Sequence, residues 1–210
     1  ELGVMGFTVP EEYGGYGFSM SAYCRLTEEI CRRDGAVATY VGGHLSIGSK
    51  VIQLFATDEQ KKHWLPKVAS GEVITAFALT EPQAGSDASA IRTRAVWNEE
   101  KQRWILNGNK IWITNGSLAS LVTVFAQTAV GEGEASRDRI TAFLVDASTP
   151  GYSAGASEHK MGIRGSSTAE LAFQDVEVPD ENVIGGVGRG IRTALEILNT
   201  GRLSLAAGCI

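Results

Sequence analysis

The chain has 210 residues, of which 43% are hydrophobic and 20% charged. Those proportions fit an ordinary globular protein, and the length suffices for one large or two small domains with a substantial core. A formal net charge of -5, with the short basic pairs Arg32-Arg33 and Lys61-Lys62 beside acids, argues against nucleic acid as a partner, and no apolar run reaches the ~20 residues that span a bilayer.

The first third reads as helical. Ser19 or Ser21 caps a helix that runs to about Arg33, with Tyr23, Leu26 and Ile30 as its buried stripe, and Asp34-Gly35 ends it. Ala36 to Phe55 is a second helix, broken or kinked near Gly42-Gly43. Thr57 and Gln60 form a capping box that opens a third, through Leu65 towards Val68. The three cysteines, Cys24, Cys31 and Cys209, are odd in number without C-x-x-C spacing, and Cys24 and Cys31, seven apart on one helix, are predicted to be buried thiols, not a bridge or metal pair, which favours a reducing compartment.

From Val73 the period changes. Seven short runs rich in β-branched and aromatic residues follow, from "VITAFALT" to "ELAFQDVEV". Asn107-Gly108 lies between two alternating runs and predicts a hairpin turn. Residues 129–138 predict an exposed loop. No helix-length segment separates the runs, so a barrel or sandwich is expected. A helical period returns at Ile191, Leu195 and Leu198. The chain opens on Glu1 and ends at Ile210 inside an apolar helical pattern, so a fragment of a longer protein is expected.

Several candidate sites reduce to ordinary structure. "GGVGRG" (185–190) has the wrong spacing for a dinucleotide turn. Asn115-Gly116-Ser117 matches a glycosylation acceptor without a secretion signal, and His44, His63 and His159 have no partner at metal-ligand spacing. Two segments point to chemistry. In "ALTEPQAGSD" (78–87) the small residues Ala84, Gly85 and Ser86 let backbone N–H groups approach an anion, while an isolated turn capped by Asp87 explains the same letters. In "KIWITNG" alternation places Trp112 and Thr114 on one strand face, an indole beside a hydroxyl that suits a planar ring or plain packing.

Together "ALTEPQAGSDASA", "NGNKIWITNG" and "KMGIRGSSTAELAFQDVEVPDENVIG" resemble, in order and nearly end to end, the acyl-CoA dehydrogenase family. "GGHLSIGSKVIQLFAT" and "ILNTGRLSLAAG" are most similar to its very-long-chain branch. The resemblance implies an α+β multi-domain fold. An N-terminal helical domain (1–75), an antiparallel β-barrel domain (76–186) and the first helix of a truncated C-terminal helical bundle (187–210) are expected. It implies FAD, with Phe77, Leu79, Thr80, Gly85 and Ser86 lining the flavin and its phosphates. Trp112, Ile113 and Thr114 would lie along the isoalloxazine. Ser86, Asn199 and Arg202 would contact a fatty acyl-CoA. In the family reaction a glutamate removes the α-proton while the β-hydride passes to flavin. That base is expected beyond Ile210, since Gly201 occupies the position some branches use, and Glu81 reads as a loop-fixing carboxylate. The resemblance further implies a homodimer or homotetramer, and transfer to an electron-transfer flavoprotein or, in oxidase-type relatives, to oxygen. A bacterial cytoplasm or a mitochondrial matrix both fit. Another class of function, a non-catalytic acyl-CoA or flavin binder or assembly protein, is left open by Gly201, while the intact FAD-facing motifs favour the enzyme.

Overall fold

The computed structural model describes residues 3–131 and 133–210. Glu1, Leu2 and Glu132 fall outside them, and with them the expected chain start and the middle of the 129–138 loop. Helix α1 (Met20–Cys31) is capped by Ser19, whose hydroxyl accepts from Ala22 N–H. Tyr23 and Thr27 form its buried face. The second helical stretch is continuous, and the irregularity expected near Gly42-Gly43 takes the form of a π turn, not a break. It comprises α2 (Gly35–Gly42), one π turn (Gly43–Gly48) and α3 (Ser49–Phe55). The π turn widens the helix where Gly43 meets another chain segment, a common device at functional sites. A Cβ on Gly43 would lie 2.8 Å from Thr114 Cγ2, so only glycine permits that approach. Helix α4 (Asp58–Ser70) begins with the expected Thr57–Gln60 capping box and ends at Gly71 in the left-handed conformation.

Among the described residues eight strands make one sheet in the order β6-β7-β3-β2-β4-β5-β8, with β1 (Thr75–Ala78) joined to β4. The remaining strands are β2 (Arg94–Asn98), β3 (Arg103–Thr114), β4 (Leu121–Val130), β5 (Arg137–Asp146), β6 (Tyr152–Ala154), β7 (Thr168–Pro179) and β8 (Val183–Ile184). Most pairings are antiparallel, but β1 and β2 run parallel to β4, so the sheet is mixed where an antiparallel one was expected. Ala76, Leu106, Val124, Phe143, Leu171 and Val176, from five strands, share one buried cluster, so the sheet curls around its own core. A second cluster holds Ile52, Leu65, Phe125, Leu144 and Ile197. It fuses α3, α4 and the last helix, α5 (Gly190–Ala207), to the other face of β4 and β5.

The expected Asn107-Gly108 hairpin is not formed. Both residues lie inside β3, which runs unbroken beside β7 with a register shift between Leu106 and Gly108. Asn107 instead exchanges two 2.9 Å hydrogen bonds with Asp175 across the bulge. Gly108, at φ 151°, sits where a Cβ would strike Thr93. The true β2–β3 turn follows Asn98, whose side chain accepts from Lys101 N–H at 2.9 Å. All three cysteines are free; Cys209 is exposed, and Cys24 and Cys31 are half-buried, less covered than expected.

Candidate functional site

Strand β1 leads into a turn closed by two 3.0 Å bonds, in which Glu81 N–H donates to Ala84 O and Ala84 N–H to Glu81 O. Pro82 at the second position presets that turn. The Glu81 carboxylate is 3% exposed. It accepts from Arg92 N–H at 2.6 Å, Thr93 N–H at 3.0 Å and Lys110 Nζ at 2.7 Å. Burial alone would push this carboxyl up, but those donors outweigh it and hold it at about 2. Lys110 is fully buried, and burial draws its ammonium down while Glu81 opposes. Glu81 thus fixes the loop, as its position in the sequence suggested. Asp87 caps the short turn that follows, accepting from Ser89 N–H at 3.1 Å.

The same lysine fastens the two motifs to each other. Lys110 Nζ also donates to Leu79 O at 3.1 Å, and Ile111 N–H donates to Thr80 O at 3.0 Å. Immediately after this clamp β3 bulges, with a register shift against β7 between Lys110 and Ile113. Trp112 there takes φ 58°, a conformation that costs about 1–3 kcal/mol for a non-glycine residue. The bulge corrects the simple alternation expected for this strand. It leaves the Trp112 indole 59% exposed and sends Ile113 into the barrel core at 2% exposure. Ile113 therefore offers a ligand its backbone only.

The sequence-chosen residues accordingly fall into four groups. Leu79 and Thr80 are clamped beside the Trp112 bulge, while Gly85 and Ser86 stand exposed at the tip of the Glu81 loop. Phe77 packs half-buried on Phe125, ring centroids 4.8 Å apart. Thr114 opens on a separate cleft of about 490 Å³ between α1, the α2–π stretch and α5. Arg202 lines that cleft too and donates to Asn199 Oδ1 at 2.6 Å. Neither Ser86 nor Asn199 is among the lining residues.

Most of the cleft escaped the sequence reading. Its walls include Ala38, Ile47, Leu198 and Leu205, with Gly42, Gly43 and Gly201 giving it width. Ile163 also lines it, a β-branched residue at φ 52° and half exposed. The helical periods placed Tyr23 in a buried stripe, but not that α5 would close over it. No aspartate or glutamate lines the cleft among the described residues, and no group of His, Cys, Asp and Glu there could hold a metal. Asn115 is fully buried with Nδ2 donating to Tyr40 O at 3.0 Å, so the glycosylation pattern has no accessible side chain. His44 is likewise buried between Val68 and Thr75, a packing role.

A comparison with family models matches residues 1–72 to "Acyl-CoA dehydrogenase, N-terminal domain" and residues 76–176 to "Acyl-CoA dehydrogenase, middle domain". The human mitochondrial very long-chain specific acyl-CoA dehydrogenase is 49% identical over 99% of this chain and 32% of its own length. A Bacillus subtilis acyl-CoA dehydrogenase is 43% identical over 98% of this chain and 53% of its own. Among solved structures, a Bacillus anthracis acyl-CoA dehydrogenase complexed with FAD superposes with a TM-score of 0.90 at 43% identity. The match covers 99% of this chain and 34% of that one. The chain thus spans about a third to a half of the length of these relatives.

Proposed function

The chain belongs to the acyl-CoA dehydrogenase family, and on that premise we propose that it supplies the flavin-facing wall and much of the acyl cleft of an FAD-dependent acyl-CoA dehydrogenase. The observation that carries this reading is the Lys110 clamp, which joins Leu79–Glu81 to Ile111 and sets Trp112 in a strained, exposed position between loop and cleft. Strain of this kind persists where surrounding structure imposes it. An exposed indole, a hydroxyl at Thr114 and the open loop tip at Gly85–Ser86 fit a planar, anionic cofactor such as FAD. On this reading residues 1–75, 76–186 and 187–210 are the helical domain, the barrel domain and the start of a helical bundle.

FAD, when bound, supplies the two-electron acceptor for a hydride from the β-carbon of the acyl thioester. The chain's own residues hold and orient. Leu79, Thr80, Gly85, Ser86, Trp112 and the Ile113 backbone face the cofactor, with Phe77 supporting them from β1. Thr114 would offer its hydroxyl from the cleft wall. Arg202, steadied by Asn199, meets the anionic coenzyme A end, and the apolar walls receive the fatty acyl chain and exclude water. The α-proton passes to a carboxylate supplied from outside the described residues, because the cleft lining contains none. With FAD bound, the complete protein would form the trans-2-enoyl thioester, with an electron-transfer flavoprotein as the expected electron acceptor and a homodimer or homotetramer as the expected assembly.

The test uses the full-length protein. FAD should co-purify, and anaerobic addition of a long-chain acyl-CoA should bleach its absorbance. Protein that holds FAD and acyl-CoA without bleaching would support the non-catalytic reading. Protein that holds neither would sink both. Peroxide formation in air would mark an oxidase.

A further inference from the structure

Among the described residues, Gln102, Trp112, Asn115, Ile163 and Asp175 take a left-handed backbone conformation without being glycine. Asparagine and aspartate tolerate it, and a β-branched side chain tolerates it least. Trp112 belongs to the site already described, which leaves Ile163, at φ 52°, as the outlier without a use. Gly162 beside it stays out of that conformation, although a Cβ there would meet nothing within 4 Å. The strain thus falls on the isoleucine and not on the neighbouring glycine, which would carry it freely. Strained residues persist where surrounding structure imposes them, and they gather at functional sites. Ile163 lines the cleft.

Hydrogen bonds hold the conformation in place. Lys160 Nζ donates to Ser166 O and, at 3.0 Å, to Thr168 Oγ1, closing the loop that carries Ile163. Arg164 Nε donates back to Lys160 O at 2.8 Å, and Ser166 N–H donates to Ile163 O at 3.2 Å. The loop is also tied to its surroundings. Asn115 N–H donates to Ser167 O at 2.9 Å, which joins it to the residue after Thr114. Thr168 pairs with Thr114 across β7 and β3. On the helical side Gly165 comes so near α2 that a Cβ would lie 3.1 Å from Ala36 Cβ. Ile163 therefore belongs to the Thr114 end of the cleft, between sheet and helices. A loop so tied does not swing aside, and the branched Cβ leaves Ile163 few rotamers. A fixed, bulky wall residue selects by exclusion, because a substituent that collides with it finds no relief.

We propose that Ile163, braced by Lys160, is a steric gate at the reacting end of the cleft, which limits the enzyme to acyl-CoA thioesters unbranched at the α-carbon. The inference rests on the proposed dehydrogenase reading, in which the Thr114 end receives the thioester with its α- and β-carbons. A methyl group on the α-carbon widens the chain where Ile163 narrows the cleft. Ile163 makes the contact, and Lys160 acts through it as a positioning residue.

The experiment uses full-length, FAD-loaded protein and compares kcat/KM for palmitoyl-CoA and 2-methylpalmitoyl-CoA. Ile163→Ala should raise the ratio of branched to straight substrate about tenfold over the wild type, one methyl group's discrimination. Ile163→Gly should do the same. Lys160→Met leaves the isoleucine in place and should raise the ratio too, whereas a general loss of stability would lower both rates together. Urea unfolding supplies a readout without turnover. Ile163→Gly should have the higher midpoint of the two, since both variants lose the side chain and only glycine relieves the backbone. Midpoints in the reverse order would overturn the strained pose. A ratio that neither variant at 163 moves overturns the gate, and one that Lys160→Met alone leaves unmoved overturns the brace. No oxidation of palmitoyl-CoA by the wild type overturns the dehydrogenase reading beneath it.

Discussion

Lys110 and Glu81 are 0% and 2% exposed at their side chains and 2.7 Å apart, and a pair so buried is asymmetric in its energetics. Removing one partner strands the other charge at a cost of about 3–5 kcal/mol, whereas removing both is far milder. Lys110→Met should therefore lower urea-unfolding stability by that amount, and adding Glu81→Gln should recover part of it. Losses that simply add would show that the two side chains do not act as a pair. The acid side follows the same logic. The Glu81 carboxyl lies at about 2 in the fold against ~4.3 when unfolded. Its contribution is complete above pH ~4.3 and drains away as pH falls towards 2. On the proposed reading Thr114 serves the cofactor instead. Thr114→Val keeps the side-chain shape and deletes the hydroxyl, so holoenzyme reduction by acyl-CoA should slow about tenfold, one hydrogen bond's worth. The thermal midpoint should hardly move, and an unaltered reduction rate would remove Thr114 from the cofactor's surroundings.

At the scale of elements, His44 ties the π turn to both α4 and β1. Thr75 N–H donates to its Nδ1 at 3.2 Å, so the neutral ring carries its proton on Nε2, which faces Val68 O at 3.1 Å. Burial lowers this histidine from 6.5 to about 4, because a second proton on Nδ1 would confront the Thr75 N–H without water. The folded value is depressed, so stability is complete above pH ~6.5 and is lost as pH falls towards 4, by about 3 kcal/mol. Urea titrations across that window should show the slope, and His44→Gln should flatten it. An equal slope in the variant would assign the loss to other groups. The elements also show where the sequence is readable. Caps at Ser19, Thr57 and Gly71 are local chemistry and appear in the letters. The Asn107-Gly108 turn misleads because a dipeptide signal is blind to β7 lying across both halves of β3. The exposure of Trp112 is hidden for the same reason, since strict alternation cannot foresee a bulge that follows a buried lysine held by a distant carboxylate. Glu81 and Lys110 are 29 positions apart, and nothing local announces their meeting.

Across the whole molecule, helices and sheet are one packed body, not two halves that touch. Phe125 on β4 is fully buried in the cluster that Ile52 and Leu65 enter from α3 and α4 and Ile197 from α5. It also packs on Phe77 of β1, the strand that feeds the Glu81 loop. The site depends on this fusion, since Thr114 meets Gly43 only while the helical layer is seated on the sheet. Phe125→Ala should cost about 3–5 kcal/mol, and it should be felt everywhere together. Trp64 lies on α4 and Trp104 in the barrel core, so the two report separately on helices and sheet. Single-tryptophan versions of the protein should unfold at the same urea midpoint with either probe. Phe125→Ala should move both midpoints by the same amount, because the side chain belongs to the surface the layers share. Midpoints that separate, with the helical probe melting first, would mean that the layers unfold independently and that the cleft can open without loss of the barrel.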